Sequence, residues 1–359
     1  MIVIQRQDSA GLFEPFRLGD ISLKHRVVMA PMTRLRAGKD DGVPSEWAEE
    51  YYSSRATDGG LILSEANLTI KRWQSLALSL KPGTNTHSTS RVAIPGVNPV
   101  VYAPSNNHDP TPGALQPGLK VIDQTDLDQV SKSVPRVPRM PLELDLMALK
   151  SMLRMDIFWT SSIDNRIRFP IGILKSVTSV IPPPKVGLRI SPFGTYQGMR
   201  EPIGEASGPI KTFSRLLKKL YEEILDFGYI HALEPRSTGD DDQPDDKLGL
   251  KNSVGPLRQI VLKHGSQFNV AGGYTPASAK VHGEKYNELI AFGRSFTSNP
   301  DLVERIKKDL PLTKYDRLTF YTQDKAGCLG WPTYQKQDIA SSAAEAKIDV
   351  EASVVKIAA

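Results

Sequence analysis

Short apolar runs separated by longer amphipathic stretches set the rhythm of this chain. Arg26–Ala30 (RVVMA), Leu61–Ser64 (LILS), Val186–Ile190 (VGLRI), Tyr229–Leu233 (YIHAL), Phe268–Ala271 (FNVA) and Leu289–Phe292 (LIAF) each have strand length. Each ends in Pro, Gly or polar residues. Runs that are apolar throughout suit a parallel sheet covered on both faces. Between them lie helical patterns. Pro44–Thr57 is anchored by Trp47, Tyr51 and Tyr52, with Ser45 as the expected N-cap. Thr212–Phe227 carries Leu216, Leu217, Leu220, Ile224 and Leu225 on one side and stops at Gly228, and Pro256–His264 is closed by Gly265. Asn299, Pro300 and Asp301 read as the N-cap, first helical position and first turn of another helix.

Strand and helix alternating over 359 residues predict a (β/α)₈ barrel. A doubly wound sheet is the alternative, weakened because no GxGxxG follows a strand. The segment LFEPFRLGDISLKH before the first strand, with Gly19-Asp20 as a turn, predicts a short N-terminal hairpin. In a barrel the chemistry sits at the strand C-terminal ends, which directs attention to Thr33, Ala66, Arg189, Glu234, Gly272-Gly273 and Gly293-Arg294.

Composition narrows the function without naming it. Apolar content of 40% and charged content of 24% are ordinary for a globular protein. The net charge of +5 is spread along the chain without a Lys/Arg stripe, so nucleic acid is not expected as a partner. No apolar run has membrane-spanning length, and MIVIQRQDSAG lacks the apolar core of a signal peptide. A single cysteine, Cys328, excludes an internal disulfide and fits a cytoplasmic location. GDDDQPDDK at 239–247 reads as a solvated acidic loop. The two glycine turns, Gly272-Gly273 and Gly293-Arg294, offer bare backbone N–H groups and one permanent cation to an anion such as a phosphate. Alone, such glycines mark turns more often than ligand sites.

At these strand ends the sequence resembles the flavin-dependent ene-reductases of the Old Yellow Enzyme family. The matching segments are LFEPFRLGDISLKHRVVMAPMTRLRA (12–37), LILSEA (61–66), SIDNRIRFP (162–170), VGLRISPFGTYQGM (186–199), YIHALEPR (229–236), VAGGYTP (270–276) and AFGRSFTSNPDLVERIKKDLPLTKYDRLTFY (291–321). Seven matches in order carry far more weight than any one motif. Within the family the chain looks most like the fungal branch of chanoclavine-I aldehyde reductases and isomerases of ergot alkaloid synthesis. The resemblance implies one barrel domain over 1–359, matched over 12–70 and 162–335, with 71–161 divergent and proline-rich and 336–359 a tail. It implies FMN as cofactor and NADPH as reductant. Pro31, Met32 and Thr33 match the loop against the flavin ring, Ala66 a backbone contact, and Arg189 the cation that balances the reduced ring. Gly272, Gly273, Gly293 and Arg294 match the phosphate clamp, and Tyr321 an aromatic residue beside the substrate. That substrate class is a small enal or enone, here an alkaloid intermediate.

The resemblance fails between Ala66 and Ile163. The family's third strand ends in a Gln-Leu-Trp type motif and its fourth in a His-Gly-Ala-Asn-Gly-Tyr type motif. Neither is present. The second motif supplies the pair that hydrogen-bonds the substrate carbonyl, with the proton-donating Tyr nearby, so no catalytic residue is assigned. His87 and Arg91 in HSTSR are faint counterparts of residues after the third strand. Pro141–Met155 (PLELDLMALKSMLRM) has helical spacing of Leu and Met and reads as a helix. The barrel is therefore expected to be incomplete around strands 3 and 4 unless other segments, with Leu76–Leu80 and Val100–Ala103 as candidates, fill those places. Three readings stay open: an inactive ene-reductase homologue, an active FMN enzyme with a rebuilt substrate side, and a non-catalytic flavin- or partner-binding protein.

Overall fold

A computed structural model describes residues 11–19, 21–34, 36–37, 45–67, 85–90, 142–145, 162–179, 181–194, 208–224, 226–235, 237–238, 241–242 and 253–335. An antiparallel hairpin, β1 (Phe16–Leu18) and β2 (Ile21–Leu23), opens the fold with Phe16 opposite Leu23. The barrel strands are β3 (Val27–Met29), β4 (Leu61–Asn67), β5 (Asn85–Ser90), β6 (Leu142–Asp145), β7 (Val186–Ile190), β8 (Tyr229–Leu233), β11 (Gln267–Ala271) and β12 (Leu289–Phe292). A two-residue pair, β9 (Ser237–Thr238) with β10 (Asp241–Asp242), interrupts the segment read as a plain acidic loop. All neighbouring barrel strands are parallel, and the sheet closes in the order β11-β12-β3-β4-β5-β6-β7-β8.

The third and fourth places are thus filled. Asn85–Ser90 pairs with β4, with a register shift between Leu63 and Ala66, and Leu142–Asp145 bridges β5 to β7. The candidates at 76–80 and 100–103 lie outside the described residues. The helical reading of Pro141–Met155 is corrected over Leu142–Asp145, which is strand. LELD alternates apolar and acidic, a period of two inside a longer run of helical period, and pairing on both edges decides between them.

Two buried clusters show how the strands alternate. Val27, Met29, Ile62, Val186, Leu188, Ile190, Ile230, Ala232, Phe268, Val270, Ile290 and Phe292 pack with helix residues such as Leu216, Leu217 and Leu220, so they face outward to the helical layer. Val28, Ala30, Leu61, Leu63, Tyr229, Ala271, Leu289 and Ala291 form the second cluster, inside the barrel, which Phe16, Leu18 and Leu23 of the hairpin join. By the same alternation Arg189, His231 and Asn269 belong to the interior. A Cβ on Gly187 would lie 2.4 Å from the Tyr229 ring, so this glycine makes room for the ring on the neighbouring strand.

The helices follow their sequence signals with small shifts. α1 is Trp47–Ser53, and Glu46 occupies its N-cap without a side-chain cap bond, so Ser45 is not the cap. α2 (Ile163–Thr178) is capped by Ser162, whose side chain accepts from Asn165 N–H. α3 (Pro209–Glu223) and α4 (Gly255–Lys263) each have proline in the first turn. α5 (Pro276–Lys285) begins with a reciprocal capping box between Thr275 and Ser278. The short helices α6 (Arg294–Ser298) and α7 (Leu302–Lys307) follow β12. Asp301, not Asn299, is the N-cap of α7. Asn299 ends α6, where its amide donates to Thr313 O and its carbonyl oxygen accepts from Thr313 N–H at 2.7 Å. A residue suited to capping is used to clamp the chain that returns after α7. Among the described residues, no helix is long and apolar enough to cross a membrane.

Burial lowers the His25 imidazole to about 4, opposed by the Val27 backbone, while its Nε2 lies 2.9 Å from Thr57 Oγ1. Between about pH 4 and 6.5 the unfolded chain binds the extra proton. This stabilising contribution is therefore complete above pH 6.5 and lost as pH falls toward 4, about 2 kcal/mol between pH 7 and 5. Urea unfolding at the two pH values checks this: His25→Gln is expected to reduce the pH dependence by about that amount, and an unchanged dependence contradicts it.

Candidate flavin site at the strand C-terminal ends

Parallel strands deliver the predicted cofactor residues to one end of the barrel, while Tyr321 lies on no strand. Pro31, Met32 and Thr33 leave β3, half-buried. Ala66 is the penultimate residue of β4, its backbone in register with Thr89 of β5. Arg189 sits near the end of β7 in register with Asp145 and His231. Gly272-Gly273 follows β11, Gly293 follows β12, and Arg294 opens α6. Because β11, β12, β3 and β4 are neighbours, the two glycine turns and the Pro31–Thr33 loop are contiguous along the rim.

Each turn has a local cause. Gly272 has φ +127° and Gly273 φ +71°, both favouring glycine. A Cβ on Gly272 would come within 3.0 Å of Glu234 Cβ and of its backbone N and O. One on Gly293 would lie 2.7 Å from Met32 Sδ, so Met32 rests on this glycine and joins the β3 loop to the β12 turn. The β3 exit is held further by Ala30 N–H, which donates to Phe292 O at 2.9 Å. Just inside the rim the inward layer is Ala30, Ala271 and Ala291, a floor of small side chains.

Positive charge gathers on the β12 side. The Arg294 guanidinium lies 5.6 Å from the Tyr315 ring centre, and Arg317 faces the same ring at 5.6 Å. Sequence reading singled out Arg294 and missed Arg317, which no local motif marks.

Tyr321 reaches the rim on a segment tied down by arginines. Arg34, fully buried, donates from Nε to Phe320 O (3.2 Å), from Nη1 to Tyr51 Oη (3.1 Å) and from Nη2 to Gly327 O (2.9 Å). Arg36 donates to Thr319 O, Phe320 O, Asp324 O and Ala326 O and to Thr322 Oγ1, at 2.6–3.1 Å. Arg55 stacks on Tyr51 at 3.8 Å and donates to Phe296 O and Thr297 O. Tyr321 itself remains 41% exposed, edge-on to buried Phe320. Glu65, at the end of β4, accepts from Arg34 N–H at 2.9 Å, and its own N–H donates to Tyr52 Oη at 3.0 Å. Burial pushes the Glu65 carboxyl above its usual range, against the Arg34 N–H and guanidinium. Burial also raises the Cys328 thiol, opposed by Arg34, Arg36 and Arg55.

The donor set suits a phosphorylated flavin. Backbone turns and a cation lie on β11 and β12, a small-residue floor lies beneath, and a cation stands near the end of β7 across the barrel. Among the described residues the rim gathers no recognised carbonyl-binding pair; β5 ends at Ser90 and β6 at Asp145.

Comparison with known proteins agrees with this geometry. The NADH:flavin oxidoreductase / NADH oxidase family model matches residues 11–93 and 147–313. The chain is 31% identical to flavin oxidoreductase hxnT of Emericella nidulans over 90% of this chain and 98% of that protein. It is 28% identical to chanoclavine-I aldehyde reductase ifgG of Penicillium roqueforti, covering 92% and 97% of the two chains. It is 27% identical to the probable inactive dehydrogenase easA of Claviceps fusiformis, covering 91% and 96%. Old Yellow Enzyme from Pichia sp. AKU4542 superposes with a TM-score of 0.71 at 23% identity, over 91% of this chain and 94% of that one, a likeness of fold. The chain belongs to the NADH:flavin oxidoreductase family, with the barrel of the Old Yellow Enzymes. The unmatched interval, 94–146, falls in the stretch where the sequence departs from the family pattern.

Arg36→Ala is expected to release the 319–326 segment without unfolding the barrel. Trypsin cleavage at Lys325 should accelerate by about tenfold, as an opened segment is cut in proportion to its open population. Cleavage at the wild-type rate, with circular dichroism unchanged, contradicts the restraint.

Proposed function

We propose that this chain is an FMN-binding Old Yellow Enzyme homologue whose ene-reductase activity is lost or severely impaired. The observation that carries the reading is the division of the rim. The ends of β3, β4, β7, β11 and β12 carry the residues that match a flavin site in the resemblance, while the sequence in and after β5 and β6 carries neither the Gln-Leu-Trp nor the His-Gly-Ala-Asn-Gly-Tyr type motif.

In this reading Gly272, Gly273, Gly293 and Arg294 hold the phosphate through backbone N–H groups and one guanidinium. Pro31, Met32 and Thr33 would line the flavin ring, with the Thr33 hydroxyl available to it as a hydrogen-bonding group. Ala66 contributes backbone, and Arg189 places positive charge where the reduced ring is negative. When bound, FMN supplies a hydride store filled from NADPH and emptied onto the β-carbon of an α,β-unsaturated aldehyde or ketone. The protein's share of that reaction is to hold the acceptor carbonyl, polarise it and deliver a proton. Tyr321 offers an aromatic wall for the acceptor. The two preorganised donors and the proton-donating tyrosine have no counterpart in the sequence. Each missing donor costs on the order of 10²–10³ in rate.

A second reading is an active reductase or isomerase with a rebuilt substrate side. It is favoured by one observation: the barrel is closed through β5 and β6, which leaves both strands in place. The likeness to ifgG makes an alkaloid aldehyde the substrate class in that case, and the low cysteine content suits the cytoplasm.

Anaerobic titration of the FMN-loaded protein with NADPH, followed by cyclohexenone, separates the readings. The expected result is flavin bound at one equivalent and reoxidation by the enone slower by about 10³ or more than for an Old Yellow Enzyme assayed in parallel. Rapid reoxidation overturns the impaired reading in favour of the rebuilt one.

A further inference from the structure

The Gly272-Gly273 turn is braced by a network of buried and partly buried side chains. On one side stands Glu234, 8% exposed, at the exit of β8. Its backbone fills the space a Gly272 side chain would need, and its N–H donates to Ala271 O at 2.8 Å. Its carboxylate accepts from Val254 N–H at 3.4 Å and lies 3.9 Å from Arg258 Nη2. Arg258, on α4, donates from Nε to Glu288 Oε2 at 2.6 Å and from Nη2 to Glu288 Oε1 at 3.0 Å, a bidentate pair. The Tyr286 ring covers the guanidinium at 4.4 Å. Burial works against the Arg258 charge, and the facing Glu288 overrides it, so the group is held charged.

Glu288, 1% exposed, continues the chain of bonds to His282 Nε2. A carboxylate only accepts, so Nε2 carries a proton, and Nδ1 on the far side of the ring is hydrogen-bonded to Tyr274 Oη at 3.2 Å. Tyr274 is the residue after Gly273 and is itself buried. The chain Glu234–Arg258–Glu288–His282–Tyr274 therefore starts on the group packed against Gly272 and ends on the residue that follows Gly273. It closes a ring through the turn. Buried polar networks whose members are all paired fix one backbone geometry.

We propose that these five residues are positioning residues that set the Gly272-Gly273 turn for a phosphate monoester, and so set this chain's preference for phosphorylated over unphosphorylated flavin. The inference rests on the flavin reading above and deepens it. None of the five needs to touch the cofactor: the ring acts through the direction of the turn's N–H groups.

The test compares FMN with riboflavin, which lacks the phosphate, by quenching of flavin fluorescence in wild type, Tyr274→Phe and Glu288→Gln. Tyr274→Phe removes one hydroxyl and keeps the ring volume, so the variant stays folded even if Glu288→Gln does not. The expected result is a preference for FMN in wild type that falls by about tenfold in Tyr274→Phe, with riboflavin affinity changed by less than about twofold. An equal loss for both flavins, or no loss for either, overturns the positioning role while leaving FMN binding intact. Wild type that binds neither flavin overturns the flavin reading, and this inference with it.

Discussion

Closure of a parallel barrel imposes one rule on every strand in it: side chains alternate between an interior shared by all strands and an exterior shared with the helices. That rule divides Val27 and Met29 from Val28, Ile62 from Leu61 and Leu63, and Ile290 from Leu289 and Ala291. It also explains the site. Because all eight strands run the same way, their exits lie on one rim, and residues from positions 31 to 294 meet there. The hairpin residues Phe16, Leu18 and Leu23 join the interior cluster, so apolar burial and ligand chemistry occupy different parts of one barrel.

Much of this was legible because the strands β3, β4, β7, β8, β11 and β12 are short apolar runs that stop at Pro, Gly or polar residues. A buried parallel strand needs the first property, and a turn at a barrel rim needs the second. β5 and β6 were not legible for a physical reason. NTHSTS has no apolar alternation, and LELD is embedded in a longer run of Leu and Met with helical spacing. Their strand state comes from the edges offered by β4 and β7, an influence local propensity does not record. Asn299 fails the same way: Asn-Pro-Asp reads as a helix start, but the amide is taken by Thr313.

The site divides along similar lines. The glycines of the phosphate side announce themselves because backbone there must adopt positive φ or approach another group closely. The buried arginines do not. Arg34 and Arg36 reach carbonyl groups more than 280 residues away along the chain, and a basic residue in a loop carries no sign of that. Nor does the ring from Glu234 to Tyr274, which joins Tyr274, His282 and Glu288 to the more distant Glu234 and Arg258. Long, charged side chains buried against backbone or carboxylates are where folding fixes a rim that apolar patterning only outlines.

In the proposed function a flavin half persists beside a substrate half that does not. Native mass spectrometry of the full chain, incubated with excess FMN and desalted, measures the first of these directly. One FMN per chain, with no binding of a second, is the result expected from that proposal. A chain that retains no flavin under conditions where an Old Yellow Enzyme stays loaded would contradict the account.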